Sequence, residues 1–279
     1  MKKILCLLIL ISAGFIGNAQ TVKFKKGQVL TITTSMTQEM DMGIAGQMSS
    51  SSKNTSVIEI KAAEKDGYKA SSKLAKLNIS IDAMGQNQTF DSEKPEDMNG
   101  EIGKQLGDRI GKESNMFIDN TTGVATPENK DIIDVEKKNE EEAFSGMLDL
   151  FGQADKEGAV AESVIFILPR DKKAGDSWQD SSEVKNKSKV YKTYTVKSIQ
   201  DGIATIAIST KMNGSMSTET QGMQMNITLD TKSEGEMIVD TNTSLIKKIN
   251  RVSNINGSMD VMEQSVPIIS KLTELIEIN

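Results

Sequence analysis

The sequence predicts an α+β fold, in which antiparallel sheet built from two weakly repeated halves carries two or three central helices packed on it. Three observations support this prediction. Apolar and polar residues alternate by two near both ends of the chain, Asp-Gly pairs separate extended runs, and the apolar spacing changes to helical steps in the middle. The sheets would form either a curved half-barrel with helices in its mouth or two small domains bridged by helices.

The first segment is typical of a secretory signal peptide. In MKKILCLLILISAGFIGNAQ, two lysines precede an apolar run and small residues follow it. The apolar run at residues 4–16 is too short for a transmembrane anchor, which takes about 20 residues. We therefore predict cleavage between Ala19 and Gln20, where Gly17 also fits the small-residue rule. The protein would be exported to the periplasm or the outside, without a transmembrane anchor after signal removal.

The remaining chain divides into three segments, which we expect to form one structural unit. Residues 20–126 would be the first sheet half with a helix, residues 127–170 a helical connector, and residues 171–279 the second sheet half. The first half begins with a clear alternation over residues 29–44. Its even positions are mostly apolar and its odd positions mostly polar, so the even set would share one face of a strand.

Tight turns punctuate both halves. Asp-Gly favours a two-residue hairpin of type I′, which needs positive φ at both positions. We predict such turns at Asp66–Gly67, between strands of the first half, and at Asp201–Gly202 in the second half. In FIDNTTGVA, Asp119 would cap a turn through its side chain and Gly123 would adopt a left-handed conformation.

The middle of the chain predicts helices. Residues 96–113 place Met98, Ile102, Leu106 and Ile110 at steps of four, which is a helical stripe. Gly103, Gly107 and Gly111 recur at the same spacing, which indicates that the backbone of this helix closely approaches a sheet. Residues 139–153 predict a second helix, with acidic residues at its start and an apolar face behind them.

Methionines are concentrated in two segments. MTQEMDMGIAGQM (36–48) and MNGSMSTETQGMQM (212–225) each hold four of them. If a loop turns the chain at residues 43–47, Met42 would lie opposite Met48 on the neighbouring strand. If a second loop turns it at residues 218–221, Met216 would lie opposite Met223, and Met212 would lie opposite Ile227. The candidate binding residues are therefore Met36, Met40, Met42, Met48, Met212, Met216, Met223 and Met225.

Three interpretations of these methionines remain open. Met fills irregular gaps in apolar cores. It also lines adaptable apolar grooves, which would hold a lipid or a similar ligand. Thioethers are soft ligands, so Cu(I) binding by Met-x-Met pairs is the third interpretation.

Composition excludes several kinds of chemistry. The chain has no histidine, and its one cysteine leaves with residues 1–19. Catalytic triads with histidine, histidine metal sites and thiol catalysis are thereby excluded. We predict no metal, no cofactor and no enzymatic activity, although a carboxylate-based hydrolase remains the alternative. Trp178, the only tryptophan, would anchor the second sheet half to the core.

Charge limits the partners. Loss of Lys2 and Lys3 with the signal peptide leaves 31 basic residues against 39 acidic ones, a formal charge of −8. Nucleic acid binding depends on clustered Lys and Arg, so an acidic protein of this kind is not expected to bind it.

The second half of the chain resembles a known group of proteins. At AGDSW, followed by YTVKSIQDGIATIAIS, the chain resembles secreted Bacteroidota proteins grouped as a domain of unknown function. The resemblance implies an extracytoplasmic place and no assigned activity. The expected architecture is also similar to the lipoprotein-carrier half-barrels of the periplasm. We therefore expect an exported envelope protein that binds an apolar or lipid-like small molecule or has a structural role.

Overall fold

The structure is a computed structural model that describes residues 21–43, 46–83, 85–128, 163–184, 188–220, 223–261 and 264–279. Within these ranges twelve strands form a single antiparallel sheet, and two short α-helices and one 3-10 turn accompany it. The α+β prediction with two or three packed central helices is therefore wrong. The predicted connector and the helix at residues 139–153 lie largely outside the described residues.

The strands are numbered in the order in which they occur along the chain, and the two helices lie between β4 and β5. Their bounds are β1 Val29–Asp41, β2 Gln47–Ala63, β3 Gly67–Ala83, β4 Gln86–Asp91, α1 Pro95–Asn99, α2 Glu101–Leu106, β5 Ser114–Asp119, β6 Ala125–Pro127, β7 Ser177–Val184, β8 Ser188–Gln200, β9 Ile203–Thr220, β10 Met223–Asp240, β11 Leu245–Val261 and β12 Gln264–Ile278. The order across the sheet is β6-β5-β3-β2-β1-β12-β11-β10-β9-β8-β7, with β4 also paired to β3. The first and last strands are thus neighbours and join the two halves of the chain.

Alternation by two gives the sheet an inner and an outer face. In β2 every second residue is buried for almost the whole length of the strand. The inner face is the one that carries the buried residues Leu30 and Ile32 of β1. The predicted even-position face of residues 29–44 corresponds to this inner face.

One end of the sheet is curled over, and we call it the closed end. Val22 donates its amide hydrogen to the carbonyl of Asn120 (2.8 Å), and Lys23 donates to Thr243 (3.1 Å). Asn120 follows β5 and Thr243 follows β10, which are six strand steps apart in the sheet order. A flat sheet would separate these strands by about 29 Å. Because two consecutive residues reach both turns, the sheet must bend strongly at this end.

The main core fills the closed end. The segment at residues 163–169 runs along the start of β11, where Ile246 donates to the Val164 carbonyl (2.9 Å) and Phe166 donates to the Ser244 carbonyl (2.9 Å). It covers a cluster of aliphatic side chains drawn from both halves of the chain. The cluster includes Val22, Leu30, Ile32, Ile58, Ile60, Ile118, Val164, Val196, Ile206, Met237, Val239, Ile276 and Ile278.

The predicted helix at residues 96–113 is interrupted. Gly100 adopts extended backbone (φ −73°, ψ −179°) and separates α1 from α2. The apolar stripe still packs as one unit, because Met98, Ile102, Leu106 and Ile110 all join a second cluster around Phe90. The close glycine approach is made by Gly103, whose added Cβ would lie 2.3 Å from the Met98 carbonyl oxygen. Gly103 therefore approaches α1, and the predicted approach to a sheet is wrong.

Among the described residues, none of the helices has the length and apolar character needed to cross a membrane.

Candidate functional site

The inner face changes character from the closed end towards the opposite end, which we call the open end. Beyond the aliphatic core lies a belt of buried polar side chains, formed by Thr34, Gln38, Ser50, Ser52, Asn54, Ser56, Ser233, Ser253 and Ser270. Beyond the belt the inner face becomes apolar again, and there its side chains are only partly buried. We call these residues, together with the partly buried Leu272 that lies in the belt between Gln38 and Ser253, the open-end apolar surface: Met40, Met212, Ile227, Leu229, Ile255, Met259, Val266 and Ile268.

Strand register brings the open-end apolar surface together. Ile255 of β11 faces Ser270 of β12 on one side and Thr231 of β10 on the other. One step nearer the open end, Gly257 lies between Ile268 and Leu229. A Cβ on Gly257 would come to 2.8 Å from Cδ2 of Leu229, so the leucine side chain lies against the bare glycine backbone. The surface is thus continuous across β10, β11 and β12.

No charged side chain interrupts this surface. On the described strands β9 to β12, the inner-face positions from the Ile255 row to the open end carry apolar residues, glycine, serine, threonine and Gln264, and none of them is charged. On β11 and β12 the nearest charged pair is Arg251 with Glu274, where the guanidinium donates to the carboxylate at 2.5 Å. On β8, the exposed Lys192 lies on the inner face one row from Met212. Charge therefore borders the surface on its closed-end side and does not lie within it.

The polar belt is internally hydrogen-bonded in part. Gln38 donates to the Ser270 hydroxyl at 2.9 Å, and the hydroxyls of Ser233 and Ser253 lie 2.6 Å apart. The hydroxyls of Ser50 and Ser52 are buried without a hydrogen-bond partner among the described residues.

The candidate methionines divide into several environments. Met36, Met40 and Met212 lie on the inner face and are partly exposed. Met48 is only 6% exposed and belongs to the second apolar cluster, with Met40 packed against it. Met42 is partly exposed just beyond β1, where its amide donates to the Gly46 carbonyl.

For three of the candidate methionines the structure describes only the backbone. Met216 lies on β9, and Met223 and Met225 lie on β10. Their side chains fall outside the described part of the chain. The structure therefore brings Met40 and Met48 together.

The predicted methionine register is wrong in both hairpins. Met48 faces Met40 instead of Met42, because the first hairpin turns one residue earlier than predicted. In the second hairpin, β9 continues to Thr220 and faces Met223 there, so Met216 faces Ile227 and Met212 faces Thr231. Both errors shift the pairing by an even number of residues. The face assigned to each strand position is therefore unchanged, since only odd shifts reverse it.

The two Asp-Gly turns differ in conformation. Asp201 and Gly202 both have positive φ (51° and 78°), as a type I′ turn requires. Gly67 is instead the first residue of β3 and has no positive φ. An added Cβ on Gly67 would lie 2.2 Å from the Ile118 carbonyl oxygen, so this glycine is required by a close contact with β5.

Asp119 organises the turn after β5. Its carboxylate accepts hydrogen bonds from the amides of Thr121 (2.9 Å) and Thr122 (2.7 Å) and from the Thr122 hydroxyl. The Thr122 and Thr121 amide bonds stabilise the charged form and lower the pKa of Asp119. Gly123 follows with φ +74° and completes the turn.

Trp178 lies in an aromatic group at the β7 edge of the inner face. Its ring stacks on Tyr194 with centroids 5.2 Å apart, and the ring of Phe166 lies 6.4 Å away. All three rings pack against the closed-end core. Burial raises the pKa of Tyr194, with the nearby negative charge of Asp180 acting in the same direction.

Sequence reasoning missed the part of the open-end apolar surface on the last two strands. Ile255 and Met259 alternate with polar or charged residues on β11 in much the same way as the first methionine segment, whereas Pro267 and Ile269 interrupt the alternation on β12. The period of two was therefore present on β11 and incomplete on β12. Attention to methionine alone did not detect it, because most of these side chains are aliphatic.

Comparison with known proteins identifies a family. The model of a family of unknown function, DUF6263, matches residues 65–246. No curated protein matches the chain. Among solved structures, the chain is similar to one titled "Lipid-protein interactions in lipovitellin", with 9% sequence identity and a TM-score of 0.49 over 92% of this chain. The match spans 25% of the lipovitellin chain.

Proposed function

Since the chain belongs to DUF6263, a family of unknown function, we propose from its geometry that it binds a lipid-like small molecule on the open-end apolar surface without catalysing its conversion. The observation that carries this proposal is the contrast between the two ends of one face. At the closed end the aliphatic side chains are covered by residues 21–27 and 163–169. At the open end a comparable set remains partly exposed.

Exposure of this surface has an energetic consequence. Burying apolar area stabilises a protein by about 25 cal/mol per Å², so a lipid chain that covers the surface would gain binding free energy in proportion to the area removed from water. Contiguous apolar patches on soluble proteins commonly mark sites of interaction. The absence of charge on the described inner-face positions of β9 to β12 near the open end favours an uncharged chain as occupant.

Methionine contributes to this surface in a specific way. Met40, Met212 and Met259 are unbranched and flexible, and their thioethers are polarisable. They alternate with stiffer side chains such as Ile227 and Ile255, so the surface combines a fixed shape with adaptable positions. That combination suits chains of varied length and saturation, in the way that Met-rich surfaces accept varied partners.

The proposed place of action is outside the cytoplasm. Residues 1–19 carry the features of a signal peptide, and a lipid-like molecule needs a carrier to cross an aqueous compartment. Sequencing of the amino terminus of protein taken from the native envelope tests this part. We expect a start at Gln20, and a start at Met1 would contradict export.

Uptake of a fluorescent fatty acid tests the binding proposal. We expect saturable binding by the wild-type protein and its loss in Leu229→Lys and Ile255→Lys, because each puts a charge into the apolar surface. Thr228→Lys and Asn254→Lys are matched controls, since these exposed neighbours lie on the outer face of the same strands. Circular dichroism of all four variants verifies the fold.

The outcome distinguishes the alternatives. Unaltered probe recovered from the complex supports binding without catalysis, whereas a cleaved product would favour the carboxylate hydrolase. Cu(I) binding that disappears in Met40→Ala, together with no fatty acid uptake, would favour the copper interpretation. If the charged inner-face variants bind the probe as tightly as the wild type does, the open-end apolar surface is not the site.

A further inference from the structure

The outer face carries a polar hollow of about 440 Å³ on β8, β9 and β10. Its lining consists of Lys189, Tyr191, Lys211, Asn213, Asp230 and Lys232. These residues form two rows across the three strands. One row is Tyr191, Lys211 and Lys232, and the other is Lys189, Asn213 and Asp230. The hollow lies on the face opposite to the proposed lipid site, so the two are physically separate.

Positive charge is concentrated in this hollow. Lys211 and Lys232 are direct cross-strand partners, and like charges in this arrangement destabilise a sheet. Lys189 lies one row away, and Asp230 supplies the one acidic group of the lining. The lining therefore has a net formal charge of +2, in a chain whose net charge is −6.

Other outer-face lysines have a different arrangement. Lys197 forms an ion pair with Glu236, two strands away, and Lys248 forms one with Glu277 of the neighbouring strand. Lys189 is the cross-strand partner of Glu183 of β7, whereas no carboxylate among the described side chains lies within ion-pair distance of Lys211 or Lys232. Their charge is thus available to an anion from outside the chain.

We propose that this hollow binds the phosphate group of a small molecule or a lipid head. Ammonium groups act as point charges that bind phosphate, and the Tyr191 hydroxyl and Asn213 amide add neutral donors beside them. Three strands and two rows span about 10 Å by 7 Å. That area fits one phosphate-bearing group and is too small for the repeated contacts of a nucleic acid backbone.

Calorimetric titration with inorganic phosphate and with glycerol phosphate, at constant ionic strength, tests the proposal. We expect binding by the wild type, and affinity reduced about tenfold or more in Lys211→Gln and Lys232→Gln. Lys53→Gln removes the same charge from β2 of the outer face and should leave the affinity unchanged. Equal weakening in all three variants, or no binding by the wild type, would overturn the proposal.

Vesicle flotation separates the two sources of the phosphate group. Binding to vesicles that contain phosphatidic acid, but not to pure phosphatidylcholine vesicles, supports a lipid head when Lys211→Gln abolishes it. Binding of glycerol phosphate without vesicle binding supports a soluble ligand. A second readout is stability without ligand, where Lys211→Gln should raise the melting temperature because it removes the repulsion from Lys232. An unchanged or lower melting temperature would argue against unpaired charge at this site.

Discussion

Gly123 and Ile165 lie so close that a Cβ atom added to Gly123 would come to 2.6 Å from Cγ2 of Ile165. Gly123 follows β5 in the first half of the chain, whereas Ile165 bridges to Leu245 at the start of β11. The contact therefore belongs to the closed end, where the sheet bends and the two halves meet. Residues 22 and 23 hold the same two regions together through their backbone hydrogen bonds.

Substitution of Gly123 tests this closure. Gly123→Ala forces a side chain into a left-handed conformation, which costs about 1–2 kcal/mol, and drives Cβ against Ile165, which adds about 1–3 kcal/mol. Gly85→Ala is the matched control, because Gly85 has φ +77° and no heavy atom within 4 Å of an added Cβ. Denaturant unfolding should show a clearly larger loss for Gly123→Ala. Equal losses would mean that the closed end relaxes without cost.

The two ends of the inner face should respond differently to loss of a methionine. Met237 is 2% exposed in the closed-end core, so Met237→Ala should cost about 2–5 kcal/mol through cavity formation. Met212 is partly exposed at the open end, so Met212→Ala should cost less than about 1 kcal/mol. Denaturant unfolding of both variants measures the difference. A large loss at Met212 would show that the open end is packed as tightly as the core.

Stability should depend on the charge of Asp119. Its pKa is lowered below the ordinary value of 3.8 by the amide bonds of Thr122 and Thr121, so its contribution is present above that value and is lost as the pH falls through the folded-state pKa. Asp119→Asn keeps an acceptor oxygen but removes the charge. Thermal melts should show a destabilised variant at neutral pH and convergence with the wild type in acid. A difference that does not change with pH would contradict the charge-based explanation.

Tyr194 should ionise at high pH. Burial, aided by the charge of Asp180, raises its pKa above the ordinary value of 10.0. The neutral phenol is therefore favoured in the folded state, and its stabilising contribution is lost as the pH rises through the folded-state pKa. Absorbance titration of the wild type minus that of Tyr194→Phe isolates this phenolate. A difference transition at or below 10.0 would show that the stacked ring is exposed to water.

Local properties of the fold were predictable from the sequence. The period of two in residues 29–44 correctly placed Met36 and Met40 on the inner face, because side-chain direction in a strand depends only on sequence parity. Positive φ at Asp201 and Gly202 follows from the same kind of local rule. The helical stripe at residues 96–113 correctly grouped four apolar side chains that share one cluster, but it predicted the wrong helix length, since Gly100 interrupts the helix.

The position of each strand in the sheet was decided only by the tertiary structure. Nothing local to β1 indicates that it pairs with β12, and nothing in residues 21–24 indicates that they join two turns across a curled sheet. The open-end apolar surface and the lysine hollow both depend on that strand order, because each collects side chains from three or more strands. Residue parity selects a face, whereas long-range pairing and closure of the sheet select which side chains meet on it.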